Sequence, residues 1–175
     1  MIMPSRVRKF ALTAHVASSV GWLGAVVVFL ALAVVGLTSQ DAQTVRGVYL
    51  VMEPAAWLVL VPMAVASLLT GIVQSLGTAW GLFRHYWVVF KLLITVFATI
   101  ILLTYMETFR SMAGVAADPG ADLGAVRNAS PMFHASLALL VLVIATVLAV
   151  YKPQGMTPHG RRTQSDQRKG NSSKA

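Results

Sequence analysis

The sequence predicts an all-α integral membrane protein, a bundle of four transmembrane helices with both termini in the cytoplasm. Composition points there first: of 175 residues 57% are hydrophobic and only 11% charged, against roughly half apolar in an ordinary soluble domain. The few charges also fall in clusters that leave four long apolar stretches, each near the about 20 residues a helix needs to cross a hydrocarbon core. Finally, the basic residues lie almost wholly on one side of those stretches.

The first span runs from about Phe10 to Leu37, charge-free between Lys9 and Asp41 and too long for the apolar core of a secretory signal, so it is read as retained. A polar turn, Thr38 to Arg46, leads to a second span over about 50–74. Pro62 lies inside it and predicts a kink, because proline deletes a ladder hydrogen bond and clashes with the preceding turn. The connection from Ser75 to Phe83 carries Gly77 and Gly81. A third span follows over about 86–105, with Lys91 in its first turns, where its stem allows the ammonium to snorkel to the interface. Asp118, Pro119, Gly120 and Asp122 mark 110–129 as a turn-rich loop. The last span covers about 131–151, so the four-helix domain comprises 1–152. The remaining 153–175 are Gly, Ser, Gln, Pro and basic residues, and are read as a disordered tail.

Eleven of the 14 Lys and Arg residues fall on the side of the two termini, leaving only Arg46, Arg110 and Arg127 on the other. The excess belongs in the cytoplasm, which sets the orientation and implies a multi-pass protein of the inner (plasma) membrane. The net charge of +8 resides in flanks of apolar spans and is not interleaved with aromatics as a nucleic-acid groove requires. Its expected partners are the lipid bilayer and anionic lipids at the cytoplasmic face, with a second copy or a membrane protein as further candidates. The absence of cysteine excludes disulfides, thiolate metal sites and thiol nucleophiles. No phosphate loop, zinc-protease helix or nucleophile elbow is present.

His15 lies roughly 8 Å into the first helix beyond Lys9, and Ser18, Ser19 and Trp22 follow at spacings that share its face. Small residues surround them: Ala14, Ala17, Gly21, Gly24 and Ala25. Such a stripe suits close helix packing, with His15 hydrogen-bonded to a neighbour, or a slot for a flat ring. An intramembrane imidazole is a functional candidate and a common axial ligand of haem iron. His85, beside Arg84, Tyr86 and Trp87, reads as an interfacial anchor or a second ligand. Lys91 is placed to face His15, and Arg84 and Lys91, seven apart on one helix face, suit two carboxylates of a porphyrin. On the other side Glu53, Glu107 and His134 lie near outer helix ends with several methionines close by, a set suited to copper. His134 and His15 are separated by more than about 15 Å along the membrane normal and cannot share one iron.

The run HVASSVGWLG from His15 to Gly24, with Trp87, Lys91 and the four-span layout, resembles a family of small bacterial integral membrane proteins of unknown function, over about Lys9 to Pro153. A more distant resemblance is to the membrane domain of copper-resistance protein D and to the haem-associated membrane protoporphyrinogen oxidases. These carry a first-helix His followed by Trp-x-Gly, here His15, Trp22 and Gly24; the oxidases add a third-helix Trp and Lys, here Trp87 and Lys91. That likeness implies haem at the first-helix His. Ala25 to Leu30 replace the Pro-Arg and Tyr-His of the oxidase motif, which speaks against the oxidase reaction. The resulting expectation is a protein holding a b-type haem or related tetrapyrrole at His15, in electron transfer or haem handling. Its rivals are a copper-handling or small-solute permease component and a cofactor-free membrane scaffold.

The orientation predicts that a topology reporter fused after Ala175, or inserted near Thr78, reads cytoplasm, and that one near Asp118 reads the outside. A cytoplasmic reading at Asp118 reverses the assignment.

Overall fold

The computed structural model describes residues 3–78, 81–162 and 164–165. Within them α1 spans Ser5–Thr38, α2 Ala42–Leu76, α3 Tyr86–Ala117 and α4 Ser130–Tyr151. All four are long and apolar enough to cross a membrane. Each helix packs on its sequence neighbours, and α1 also packs on α4, which closes a four-helix ring. This is the all-α bundle expected of the sequence. Its outward faces are apolar, with Leu58, Phe97 and Val150 all exposed, as lipid-facing surfaces must be.

The inward stripe of α1 is Ala11, Ser18, Trp22, Val26, Phe29, Ala33 and Gly36. Its steps of seven, four and three residues keep one face inward along the helix. In α2 the buried residues Met52, Ala56, Leu60 and Ala64 recur every fourth position, and each four-residue step overshoots a regular α-helical turn by about 40°. A π-helical turn at Ala56–Leu60, with the Val61 N–H donating to Ala56 O, takes up that drift and holds the row facing inward. Pro54 and Pro62 flank it, so the irregularity expected at Pro62 is a widened turn just before the proline. At the α1–α2 crossing Gly36 lies against the Tyr49 ring; a β-carbon there would sit 3.1 Å from it.

Three boundaries differ from the sequence reading. Helix α3 continues past Tyr105 through Glu107 and Arg110 to Ala117, which shortens the predicted 110–129 loop to 118–129 with a 3₁₀ turn at Leu123–Ala125. Helix α2 starts at Ala42 instead of near Leu50, and α1 starts at Ser5 instead of near Phe10. Polar side chains hid these turns from a search for apolar runs. Asp41 caps α2, accepting from the Gln43 and Thr44 N–H groups. The bond from the Thr44 hydroxyl, with those backbone donors, holds the exposed Asp41 carboxyl below the usual range.

A fourth difference lies at the end of the bundle that holds Met3 and Thr157. The Met3 N–H donates to Gly77 O at 3.2 Å. The Thr157 hydroxyl donates to Phe83 O at 2.6 Å, Thr157 N–H to Arg84 O at 3.1 Å and Tyr86 N–H to Gly155 O at 3.3 Å. Residues 155–157 therefore form a short strap across the start of α3, ahead of a helical turn at 158–162. Disorder was expected from 153, because apolar content alone does not reveal a segment held by backbone hydrogen bonds. Tail residues 163 and 166–175, with Arg168, Lys169 and Lys174, lie outside the described residues.

At the opposite end Arg46 closes the C-terminus of α3. Its guanidinium donates to Ala116 O at 3.0 Å, Pro119 O at 3.0 Å and Ala121 O at 3.2 Å, and also reaches Val115 O and Asp118 O. Val115 and Ala116 belong to the last turn of α3, whose carbonyls have no i+4 N–H partner within the helix, and a cation there also complements the helix dipole. Replacing Arg46 by Ala is expected to destabilise the folded protein by about 2 kcal/mol or more, seen as a lower thermal midpoint in detergent. Lysine should recover only part, because one ammonium cannot span the fork.

Candidate functional site

The polar side chains that join one helix to another inside the bundle fall in two places. The first is built on His15. Its Nδ1 lies 3.1 Å from Ser67 O and 3.2 Å from Thr70 Oγ1; since a carbonyl only accepts, Nδ1 carries the proton and donates. Ser19 and Ser67 hydroxyls pair at 2.8 Å. The imidazole rests on Gly71, where a β-carbon would meet its Cε1 at 3.0 Å. Lys91 and Thr95 of α3 share with His15 a cavity of about 20 Å³, enough for a water molecule. His15 and Trp22 thus share the inward stripe, and Lys91 faces His15, as the spacing suggested.

Of the small residues of α1, Gly21 is covered, since a β-carbon there would meet Met63 Sδ at 3.0 Å, whereas nothing lies within 4 Å of a β-carbon at Gly24. The cavity described beside His15 is about 20 Å³, a water's volume and far short of a tetrapyrrole's. Arg84 and His85 do not line that cavity and stand where the 155–157 strap crosses the start of α3.

The metal set is also divided. Glu53 Oε1 lies 3.8 Å from Arg110 Nε and Glu107 Oε1 lies 3.1 Å from Arg110 Nη1. One arginine therefore holds both carboxylates. Among the described residues no group of three or more His, Asp or Glu is placed to hold a metal ion. His134 takes part in a separate cluster.

That cluster marks the second polar place and the largest cavity described, of about 160 Å³. All four helices contribute to its wall: Trp22, Val26 and Phe29 from α1, Met52 and Leu60 from α2, Phe97, Tyr105 and Phe109 from α3, and Pro131, His134, Leu137 and Val141 from α4. The aromatic rings run edge to face from Phe29 through Phe109 to Tyr105, at 5.6 and 5.0 Å between centroids. Tyr105 then lies 4.3 Å from the His134 ring, tilted over it. Phe97 and Leu137 line the cavity and are also exposed on the outer surface, so the space opens sideways between α3 and α4. Its polar groups are few: the Tyr105 hydroxyl meets Ser130 Oγ at 2.9 Å, and His134 Nδ1 lies 2.8 Å from Ser130 O.

Tyr105 and Ser130 were not singled out in the sequence. The Ser130–His134 spacing of four at a helix start was a readable signal for that pair; nothing local ties Tyr105 to them.

Fold and cavity together define a multi-pass helical membrane protein with a cavity between its four helices that reaches the outer surface at Phe97 and Leu137. No family model, curated protein or solved structure matches the chain.

The contact between His15 and Gly71 supplies a test of the packing. Gly71→Val should drive a methyl into the imidazole and destabilise by about 1–3 kcal/mol. His15→Ala in the same chain should relieve part of that cost, giving a non-additive double-mutant cycle in thermal unfolding. Strict additivity would mean that the ring does not sit on Gly71.

Proposed function

We propose that this chain is a membrane protein that takes a small lipophilic molecule from the bilayer into the chamber between its four helices. The observation that carries the reading is the chamber itself, about 160 Å³ and walled by apolar side chains from every helix. An apolar cavity of about 150 Å³ stays dry and binds benzene-sized ligands. The side opening at Phe97 and Leu137 supports entry from lipid instead of water. The distribution of basic residues supports a plasma-membrane protein with both ends in the cytoplasm, its basic flanks against anionic headgroups. In that orientation the chamber belongs to the outer half of the bilayer.

Bromobenzene, a heavy-atom quencher of tryptophan, tests this in nanodiscs. Its quenching should include a saturable part that is absent in Trp22→Phe and weakened at least tenfold in Ala138→Phe, which fills the chamber. Quenching that never saturates and is the same in all three proteins would remove the reading. The rival reading, a b-type haem on His15, requires a Soret band lost in His15→Ala. The chamber reading requires that His15→Ala leave bromobenzene affinity unchanged.

A further inference from the structure

The chamber is polar at one end only, and the chemistry of that end selects a ligand. His134 Nδ1 is 2.8 Å from the Ser130 backbone carbonyl. A carbonyl oxygen cannot donate, so Nδ1 holds a proton, and in the neutral form of the ring Nε2 is the acceptor. Ser130 Oγ lies 3.4 Å from Nδ1 and 2.9 Å from the Tyr105 hydroxyl. Neither side chain is recorded at Nε2, and the ring belongs to the chamber wall.

Depth adds to this. His134 is the fifth residue of α4, which begins at Ser130, so it lies roughly 6 Å from that helix end, near the level where hydrocarbon gives way to headgroups. Deeper in, Leu60, Phe97 and Val141 are apolar parts of the wall. A molecule with a polar head at the boundary and an apolar body toward the midplane matches both ends at once.

Resting on the reading of the chamber as a lipophile site, we propose that its ligand is a hydroxyl-headed amphiphile, such as a phenol or long-chain alcohol, whose O–H donates to His134 Nε2. A carbonyl or ether head has no proton for that nitrogen and would leave it unpaired, and sites built to hydrogen-bond an O–H reject analogues lacking it.

Three probes of similar size separate the possibilities: 4-bromophenol, 4-bromoanisole and bromobenzene, compared at equal membrane concentrations by saturable Trp22 quenching in nanodiscs. The phenol should bind at least tenfold tighter than the anisole. His134→Leu should abolish the preference while bromobenzene still binds, and Ser130→Ala should retain it, because the backbone carbonyl that fixes the tautomer remains. Should the leucine variant fail to fold, His134→Phe keeps a ring against Tyr105. Equal binding of phenol and anisole, with bromobenzene still bound, overturns the proposal and leaves an apolar slot of the kind an acyl chain fills. A preference that survives loss of His134 overturns it as well. If none of the three saturates, the chamber reading itself fails and this proposal with it.

Discussion

Hydrocarbon offers no hydrogen bonds, so every polar group inside the spans must find its partner within the protein. The hydroxyls here meet that condition mostly within their own helix. Ser18 donates to Ala14 O, Ser75 to Gly71 O, Thr95 to Lys91 O, Thr99 to Thr95 O and Thr146 to Leu142 O, each at 2.8 Å and four residues back. Such bonds satisfy the side chain without tying one helix to another. Among the described residues, hydroxyl and imidazole contacts between helices include His15 with Ser67 and Thr70, Ser18 with Thr70, Ser19 with Ser67, and Tyr105 with Ser130. The same condition explains the π turn, because Pro54 and Pro62 each remove a donor from α2 and the ladder between them must be rearranged.

Much of the bundle was legible because the bilayer imposes a length and forbids charge. Helix number and the inward face of α1 follow from those rules and from the three-and-four spacing of His15, Ser18 and Trp22. The helix ends were not legible for a related reason. Beyond the hydrocarbon a helix is free to carry Arg46, Glu107 and Arg110, and it persists because Arg46 serves the carbonyls at the end of α3 and Arg110 pairs with Glu53 and Glu107. Glu107 and Arg110 are a local pair three residues apart, but the partners of Arg46 and the Glu53–Arg110 pair lie dozens of residues apart, and no local pattern announces those. The strap at 155–157 escaped notice similarly: its anchors are backbone groups at 83–86, and backbone groups are the same in every sequence.

The site was legible only in pieces. His15 was correctly placed inside and opposite Lys91, but the run of small residues beside it permits two outcomes that sequence alone does not separate. Here Met63 lies against Gly21 and His15 lies against Gly71 of α2, while nothing lies within 4 Å of a β-carbon at Gly24, so packing closes only part of the run. His134 was grouped with Glu53 and Glu107 because all three share a depth. Depth is a one-dimensional quantity. Arg110 draws the two carboxylates together, while Ser130 and Tyr105 draw the imidazole to the chamber.

The chamber, of about 160 Å³, is also a matter of side-chain size. Filling it would take little in sequence terms, since Ala98, Ala135 and Ala138 all line it and a larger apolar side chain at any of them would reduce it. The small pocket at His15 makes a useful contrast. It is about 20 Å³, with His15, Ser67, Ser75 and Lys91 in its wall, whereas the chamber wall carries few polar groups. The two spaces share no lining residue, so a change in the wall of one leaves the wall of the other in place.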